Sequence, residues 1–120
     1  MQPVAIHHVS VNVSDVEACV TFYTELLGGS LRDDRPDFSF GGAWIDLGPN
    51  QVHLIEGRVP ESLGQHFAVQ VRDLDETVSE LRSKGAVVSD PIPVGRNRQA
   101  FVNDPDGNTV ELHEVGTAAE

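Results

Sequence analysis

The sequence lacks several features that would assign the chain to a specialised class of protein. Its single cysteine, Cys19, cannot form a disulfide within the chain, so no disulfide framework is expected. The sequence has eight basic residues and nineteen acidic ones. The resulting formal net charge of −11 argues against nucleic acid or anionic membrane as a partner. No apolar run approaches the length that spans a bilayer, and no signal-peptide pattern precedes Val4. We therefore expect a cytoplasmic protein.

What the sequence does contain is an internal repeat. Residues 8–16 align with residues 66–74 at an offset of 66−8 = 58, which pairs His8 with His66. Residues 46–54 align with residues 104–112 at the same offset, since 111−53 = 58, and this pairs His53 with Glu111. A chain of 120 residues can bury one modest core but not two independent ones. We expect a single domain over residues 1–120, made of two similar modules, residues 4–57 and 65–115.

Hydrophobic periodicity predicts the elements of the first module. Residues 5–13 alternate between aliphatic and polar side chains, as a half-buried strand does. Ser14 and Glu17 form a capping box that begins a helix, and Gly28 and Gly29 end it. A short strand, a polar loop at residues 33–40 suited to substrate contacts, and a hairpin of two longer strands complete the module. The predicted order is βαβββ.

The second module repeats that order after a predicted linker at residues 57–64. Asp73 and Glu76 form a second capping pair, opening a helix that ends at Gly85. A short strand at Val87 and Val88, a proline-containing loop that extends to Arg98, and a final hairpin of strands at residues 99–103 and 109–114 follow. The fold class is therefore α+β, with two tandem βαβββ modules.

Four side chains are the strongest candidates for metal ligands. His8, His53, His66 and Glu111 all fall on the non-aliphatic faces of their predicted strands. A histidine in a strand is more often an exposed or hydrogen-bonded residue than a ligand, so the hypothesis depends on the coincidence of all four under one offset. Three imidazoles and one carboxylate suit a divalent ion of zinc, nickel, cobalt, iron or manganese. A six-coordinate ion held by them would keep two positions for a substrate with two neighbouring oxygens.

Other residues are candidates for contact with a substrate. His113 shares the predicted face of Glu111 and could touch substrate or support a metal ligand. Arg98 stands out in an acidic chain and could hold an anionic group, although a solvent-exposed cation explains it equally well. Trp44 and Phe101 could form the apolar walls of a pocket or pack in the core.

Several motifs together resemble those of a known family. They are the opening segment His8 to Asp15, the helix end Phe22 to Gly28, the strand Val52 to Glu56, the segment from His66 to Asp73, and the segment Asp104 to Leu112. With these motifs, which cover almost the whole chain, the sequence resembles the vicinal oxygen chelate superfamily. That superfamily contains glyoxalases, bleomycin resistance proteins and extradiol dioxygenases.

The resemblance implies a fold and a ligand set. Members of the superfamily fold as paired βαβββ modules that form a half-open barrel around a divalent metal, with ligands from the first and fourth strands of each module. The matching positions here are His8, His53, His66 and Glu111. Glyoxalase I enzymes have a glutamate where His53 stands, so Glu111 is the one carboxylate here that could move a proton, with His53 at best a partial substitute.

The resemblance also implies a set of alternative functions. The first is a metal-dependent lyase or isomerase of glyoxalase type, acting on a small carbonyl compound or thiol adduct with vicinal oxygens. The second is an iron(II) dioxygenase, because two histidines and Glu111 could form a two-His-one-carboxylate site. The third is a non-catalytic protein that binds a small molecule or confers resistance. Members of the family commonly form homodimers, and we expect one here.

Overall fold

Two βαβββ units make up the fold, each built on a four-stranded sheet. The structure, a computed structural model, describes residues 1–116, so the last four residues of the predicted domain lie outside it. The chain divides into a first unit, Met1–Glu61, and a second unit, Ser62–Glu120, with the boundary inside the predicted linker. The α+β class and the tandem βαβββ order expected from the sequence are confirmed.

The first unit places its first and last strands side by side. Its elements are β1 (His8–Val13), α1 (Val16–Thr21), a π-helical turn (Phe22–Leu26), β2 (Ser30–Leu31), β3 (Gly42–Leu47) and β4 (Asn50–Glu56). The strand order is β1-β4-β3-β2, with β1 parallel to β4 and the other pairs antiparallel. The aliphatic face of this sheet packs against α1, and its buried residues include Val13, Ile45, Val52 and Leu54. Full burial of such a side chain stabilises a fold by about 1.5–3 kcal/mol.

The first helix begins one residue later than the sequence predicts. Its N-cap is Asp15, whose Oδ1 accepts a hydrogen bond from the backbone N–H of Ala18 at 3.1 Å. The N-cap is therefore Asp15 and not Ser14, the residue that the sequence predicts. The repeat itself contained the signal, because Asp15 aligns with Asp73 at the offset 73−15 = 58.

The end of that helix is set by two glycines, as predicted. Gly28 has a φ of +78°, a left-handed conformation that favours glycine. A side chain at Gly29 would put its Cβ 2.7 Å from Cγ2 of Ile45, so the chain can pass this close to β3 only without one. The two glycines thus turn the chain from the helix into β2.

The second unit has the same topology. Its elements are β5 (His66–Gln70), α2 (Leu74–Ser83), β6 (Ile92–Val94), β7 (Asn97–Asn103) and β8 (Thr109–Glu114), in the sheet order β5-β8-β7-β6. Asp73 caps α2 as predicted, with its Oδ1 accepting from the N–H of Glu76 at 3.0 Å. Leu74, Val78 and Leu81 are the buried residues of α2. Within residues 1–116, no helix has the length and apolar character needed to cross a membrane.

The short strand of the second unit lies elsewhere than expected. Val88 makes only an isolated bridge to Val102, and the strand is β6, which includes Pro93. β6 is at the edge of its sheet and pairs with β7 alone. Because an edge strand does not need every N–H for pairing, proline is tolerated there.

The turn between β7 and β8 is organised by one buried carboxylate. Oδ1 of Asp104 accepts hydrogen bonds from the backbone N–H groups of Asp106 and Asn108, each at 2.9 Å. Gly107 supplies a φ of +87°. This rigid turn fixes the start of β8, the strand that carries Glu111.

Candidate functional site

In the first unit, strand register brings two of the predicted ligands together. β1 and β4 are parallel, with Ser10 beside His53 and His8 beside Gln51, so these side chains share the face opposite α1. The rings of His8 and His53 stack with centroids 3.9 Å apart and an interplanar angle of 15°. The two histidines that the sequence placed 45 residues apart (53−8 = 45) are therefore neighbours.

Hydrogen bonds orient both rings. His53 Nε2 lies 2.8 Å from Oε1 of the Gln51 side chain and donates a hydrogen bond to it, so the lone pair of a neutral His53 is on Nδ1. His8 Nδ1 lies 2.9 Å from His7 Nδ1. Burial lowers the pKa of His53, which is only 9% exposed, and the charges of His8 and His7 lower it further. His53 is thus held in the neutral form, the form that can bind a metal.

Aromatic side chains extend this stack across the sheet. Trp44 lies beside His53 in the β3–β4 register, and the two rings stack at 4.5 Å with an interplanar angle of 11°. Phe38 lies in the loop that was predicted to carry substrate contacts. The centroid of its ring is 6.2 Å from that of Trp44 and 5.1 Å from that of Phe40, on which it stacks. Both phenylalanines are exposed. The polar face of the first unit therefore continues into an exposed aromatic surface.

In the second unit, the other two predicted ligands are also neighbours. β5 and β8 are parallel with Ala68 beside Glu111, and Glu111 Oε1 lies 3.1 Å from His66 Nε2. Glu111 is only 8% exposed. His66 Nδ1 lies 2.8 Å from the backbone carbonyl oxygen of Gly64 and donates a hydrogen bond to it. Each unit thus brings together the two candidate ligands that the sequence assigned to it.

The contact between His66 and Glu111 is favourable only when His66 Nε2 carries a proton or a metal ion. Since Nδ1 of His66 donates to Gly64, a neutral ring would point the lone pair of Nε2 at a carboxylate oxygen, which can only accept. A proton or a metal ion on Nε2 removes this conflict. In the metal-free protein, the carbonyl of Gly64 and then the carboxylate of Glu111 raise the pKa of His66 above its usual value, which favours a proton in this position.

A second histidine contacts the other oxygen of the same carboxylate. His113 Nδ1 lies 2.7 Å from Glu111 Oε2, and His113 Nε2 lies 3.0 Å from the side-chain nitrogen of Asn97. The backbone N–H of Gly116 donates to Asn97 Oδ1 at 2.9 Å. The predicted neighbourhood of His113 and Glu111 is therefore present, with Asn97 as an additional member.

The remaining candidates lie on different faces of the second sheet. Phe101 is beside Glu111 in the β7–β8 register, as Trp44 is beside His53, and its ring meets that of His66 edge to face at 5.6 Å. Arg98 pairs with Glu114 in the register and therefore lies on the opposite face, towards α2. Its two terminal nitrogens each lie 2.9 Å from a carboxylate oxygen of Asp75. This placement argues against a contact between Arg98 and a substrate at Glu111.

The chemistry of the donors fits a divalent transition-metal ion. Neutral imidazole and carboxylate are the ligands that zinc, nickel, cobalt, iron and manganese accept. Within residues 1–116, no three His, Cys, Asp or Glu side chains stand close enough together to hold an ion as they are placed. The structure provides two pairs instead, His8 with His53 and His66 with Glu111.

Sequence reasoning missed two residues that support these pairs. Gln51 had a usable signal, because it lies two residues before His53 on the same strand and therefore on the same face. Asn97 had none, because its partners His113 and Gly116 are 16 and 19 residues away and meet it only through the pairing of β7 with β8.

Comparisons with known proteins agree with this fold. The family model described as Glyoxalase/Bleomycin resistance protein/Dioxygenase superfamily matches residues 5–112. A probable lactoylglutathione lyase of Synechocystis is 34% identical, covering 92% of this chain and 95% of its own length. A probable chloroplastic lactoylglutathione lyase of Arabidopsis thaliana is 35% identical over 94% of this chain, and the chain spans only 36% of that relative's length.

Solved structures give the same result for the fold. A glyoxalase family protein from Bacillus anthracis has a TM-score of 0.83 and 26% identity, covering 96% of this chain and 98% of its own. An antibiotic binding protein from Streptomyces has a TM-score of 0.79 and 25% identity, covering 97% and 99%. With a matching family model and relatives more than 30% identical, this chain belongs to the Glyoxalase/Bleomycin resistance protein/Dioxygenase superfamily.

Proposed function

We propose that the protein is a metal-dependent lyase or isomerase of glyoxalase type that acts on a small substrate with vicinal oxygens. The ligands of its one divalent ion, of zinc, nickel, cobalt, iron or manganese, would be His8, His53, His66 and Glu111. The observation that carries this proposal is the pair of His66 and Glu111, in which an imidazole nitrogen faces a carboxylate oxygen at 3.1 Å. That pair needs a cation, and a divalent ion would supply one.

The chain's own residues have distinct parts in this reaction. A bound divalent ion would polarise the two oxygens of the substrate. Glu111 would take a proton from the carbon beside a carbonyl group and return it to the neighbouring carbon, an isomerisation that needs no oxidant. His53 is held neutral by burial, so it stays available as a ligand at neutral pH. Trp44 and Phe101, each beside a fourth-strand ligand, would exclude water from the reacting atoms.

The names of relatives support this choice among the functions of the superfamily. The relative from Synechocystis, which has nearly the same length as this chain, is named a probable lactoylglutathione lyase. A hemithioacetal formed from glutathione and a 2-oxoaldehyde is therefore the first substrate to test. Its conversion into the thioester of a 2-hydroxy acid is the proton transfer described above.

The test is an anaerobic assay of this conversion with protein loaded separately with each of the five ions. We expect turnover with at least one ion, and loss of turnover in Glu111→Gln. The matched control is Glu76→Gln, which removes a carboxylate from the exposed side of α2. Turnover that requires oxygen and iron(II) would instead support the dioxygenase alternative. A protein that binds metal but converts no hemithioacetal would contradict the glyoxalase assignment.

A second candidate function is non-catalytic binding of a small molecule. The exposed rings of Phe38 and Phe40, continuous with Trp44, favour it because they offer a surface on which a flat apolar ligand can stack. Titration of an aromatic ligand that binds without turnover would support it. The homodimer and the cytoplasmic location remain predictions, and light scattering on the purified protein tests the first.

A further inference from the structure

The carboxylate of Glu111 is the end of a chain of hydrogen bonds. We propose that Asn97 and His113 are positioning residues, which hold Glu111 in the orientation needed to bind the metal. The chain runs from the N–H of Gly116 to Asn97 Oδ1, from Asn97 Nδ2 to His113 Nε2, and from His113 Nδ1 to Glu111 Oε2. This inference rests on the proposed function, and it adds a role that neither the fold nor the ligand set contains.

The direction of every bond in this chain follows from its first member. A backbone N–H can only donate, so the atom of Asn97 that faces Gly116 at 2.9 Å is the oxygen. The amide nitrogen of Asn97 therefore faces His113 Nε2 at 3.0 Å, and an amide nitrogen can only donate. His113 Nε2 must accept. In the neutral ring, the single proton then lies on Nδ1.

The proton on His113 Nδ1 lies where it can be donated in a hydrogen bond to the carboxylate of Glu111. Nδ1 of His113 lies 2.7 Å from Glu111 Oε2, which can only accept. One oxygen of Glu111 is thus occupied by His113, while Oε1 is directed at His66. Because Glu111 is almost fully buried, water cannot easily replace the donor. The histidine therefore restricts rotation of the carboxylate and leaves one defined oxygen for the ion.

Strand register explains why these residues meet. Asn97, Gln99 and Phe101 alternate along β7 on the face that also carries Glu111 and His113. The alternative is that Asn97 only ties down the segment after β8 through Gly116. Asn97→Ala distinguishes the two roles by what it changes. If Asn97 donates to His113 Nε2, the variant loses the Nδ1 tautomer and metal affinity, whereas if it only ties down the segment after β8, the variant loses stability and keeps both.

The experiment combines tautomer and metal affinity in four variants. His113→Asn keeps a donor at the position of Nδ1, His113→Leu removes it, Asn97→Ala removes the donor to His113 Nε2, and Asn103→Ala is the matched control on the same face of β7. NMR correlation of the ring nitrogens of metal-free protein reports the tautomer. Competition with a chromogenic chelator for zinc and cobalt gives affinity, and thermal unfolding shows that each variant is folded.

We expect the wild type to hold His113 with its proton on Nδ1 and to bind metal about 10–100-fold more tightly than His113→Leu. His113→Asn should recover most of that affinity, and Asn97→Ala should lose both the tautomer and affinity while Asn103→Ala keeps both. Equal metal affinity of wild type and His113→Leu would overturn this inference alone. A wild type that binds neither ion, with His113 in the predicted tautomer, would overturn the proposed function and with it the metal role of the chain.

Discussion

Replacing Glu111 by glutamine removes a charge but keeps the shape of the side chain. The amide oxygen can accept from His113 Nδ1, and the amide nitrogen can donate to His66 Nε2, whose ring already donates to Gly64 from its other nitrogen. Both hydrogen bonds therefore persist, without charge assistance. Neutral hydrogen bonds contribute about 1 kcal/mol less than charged ones, so we expect the metal-free variant to lose about 1–2 kcal/mol of unfolding free energy. The melting temperature should fall by roughly 4–8 °C.

Replacing Glu111 by leucine is the informative comparison. Leucine offers no partner to either histidine, and one unsatisfied buried polar group costs about 1–3 kcal/mol. The leucine variant should therefore unfold at a lower temperature than the glutamine variant. Both should lose more than about 100-fold in metal affinity, since loss of a residue that only supports a ligand already costs about 10–100-fold.

The assay is thermal unfolding followed by circular dichroism in the presence of a chelator, together with chelator competition for metal affinity. Glu76→Gln serves as the control and should match the wild type in metal affinity, while its melting temperature should fall less than that of either Glu111 variant. The reasoning is refuted if glutamine destabilises the metal-free protein as much as leucine does. It is refuted equally if the glutamine variant binds metal with the affinity of the wild type, because Glu111 would then not be a ligand.

Three further predictions test the fold and the faces of the sheets. Asp73→Ala should lower the unfolding free energy by about 1 kcal/mol in chemical denaturation, because it removes the side-chain cap of α2, and an unchanged midpoint would contradict that role. The hydrogen bonds from the guanidinium of Arg98 lower the pKa of Asp75, so this pair stabilises the fold above the usual aspartate pKa, and the stabilisation is lost as the pH falls. Arg98→Gln should therefore reduce the difference between the melting temperatures at neutral and acidic pH, and it should leave metal affinity unchanged. Trp44 is the chain's one tryptophan and stacks on His53, so cobalt or nickel should quench its fluorescence, and quenching that persists in His53→Ala would contradict ligation by that histidine.

The two pairs of candidate ligands were predictable because the repeat fixes equivalent positions. The equal offsets made His8 the counterpart of His66 and His53 the counterpart of Glu111. Within each unit, the parallel pairing of the first and last strands then makes neighbours of the two candidate ligands that those strands carry. Sequence alternation also gave the correct faces for these residues. What the alternation could not give was register, and so the stacking of Trp44 on His53 became known only from the structure.

The positions of Arg98 and Asn97 could not be predicted because they depend on where β7 begins. The sequence put the start of the seventh strand at Gln99 and treated Arg98 as part of a loop, whereas β7 begins at Asn97. That shift places Arg98 on the face towards α2, because residues three apart on a strand point to opposite sides and Phe101 faces Glu111. It also brings Asn97 to His113, a contact between side chains that no local pattern encodes.

The most direct test of the central claim is the metal content of protein purified without chelators or an affinity tag, compared with a His66→Ala variant. The account predicts a near-stoichiometric divalent ion in the wild type and its loss in the variant, while Glu76→Gln retains it. A wild type that takes up no zinc, nickel or iron even after soaking would contradict the account, and the binding function would then be the better explanation of the fold.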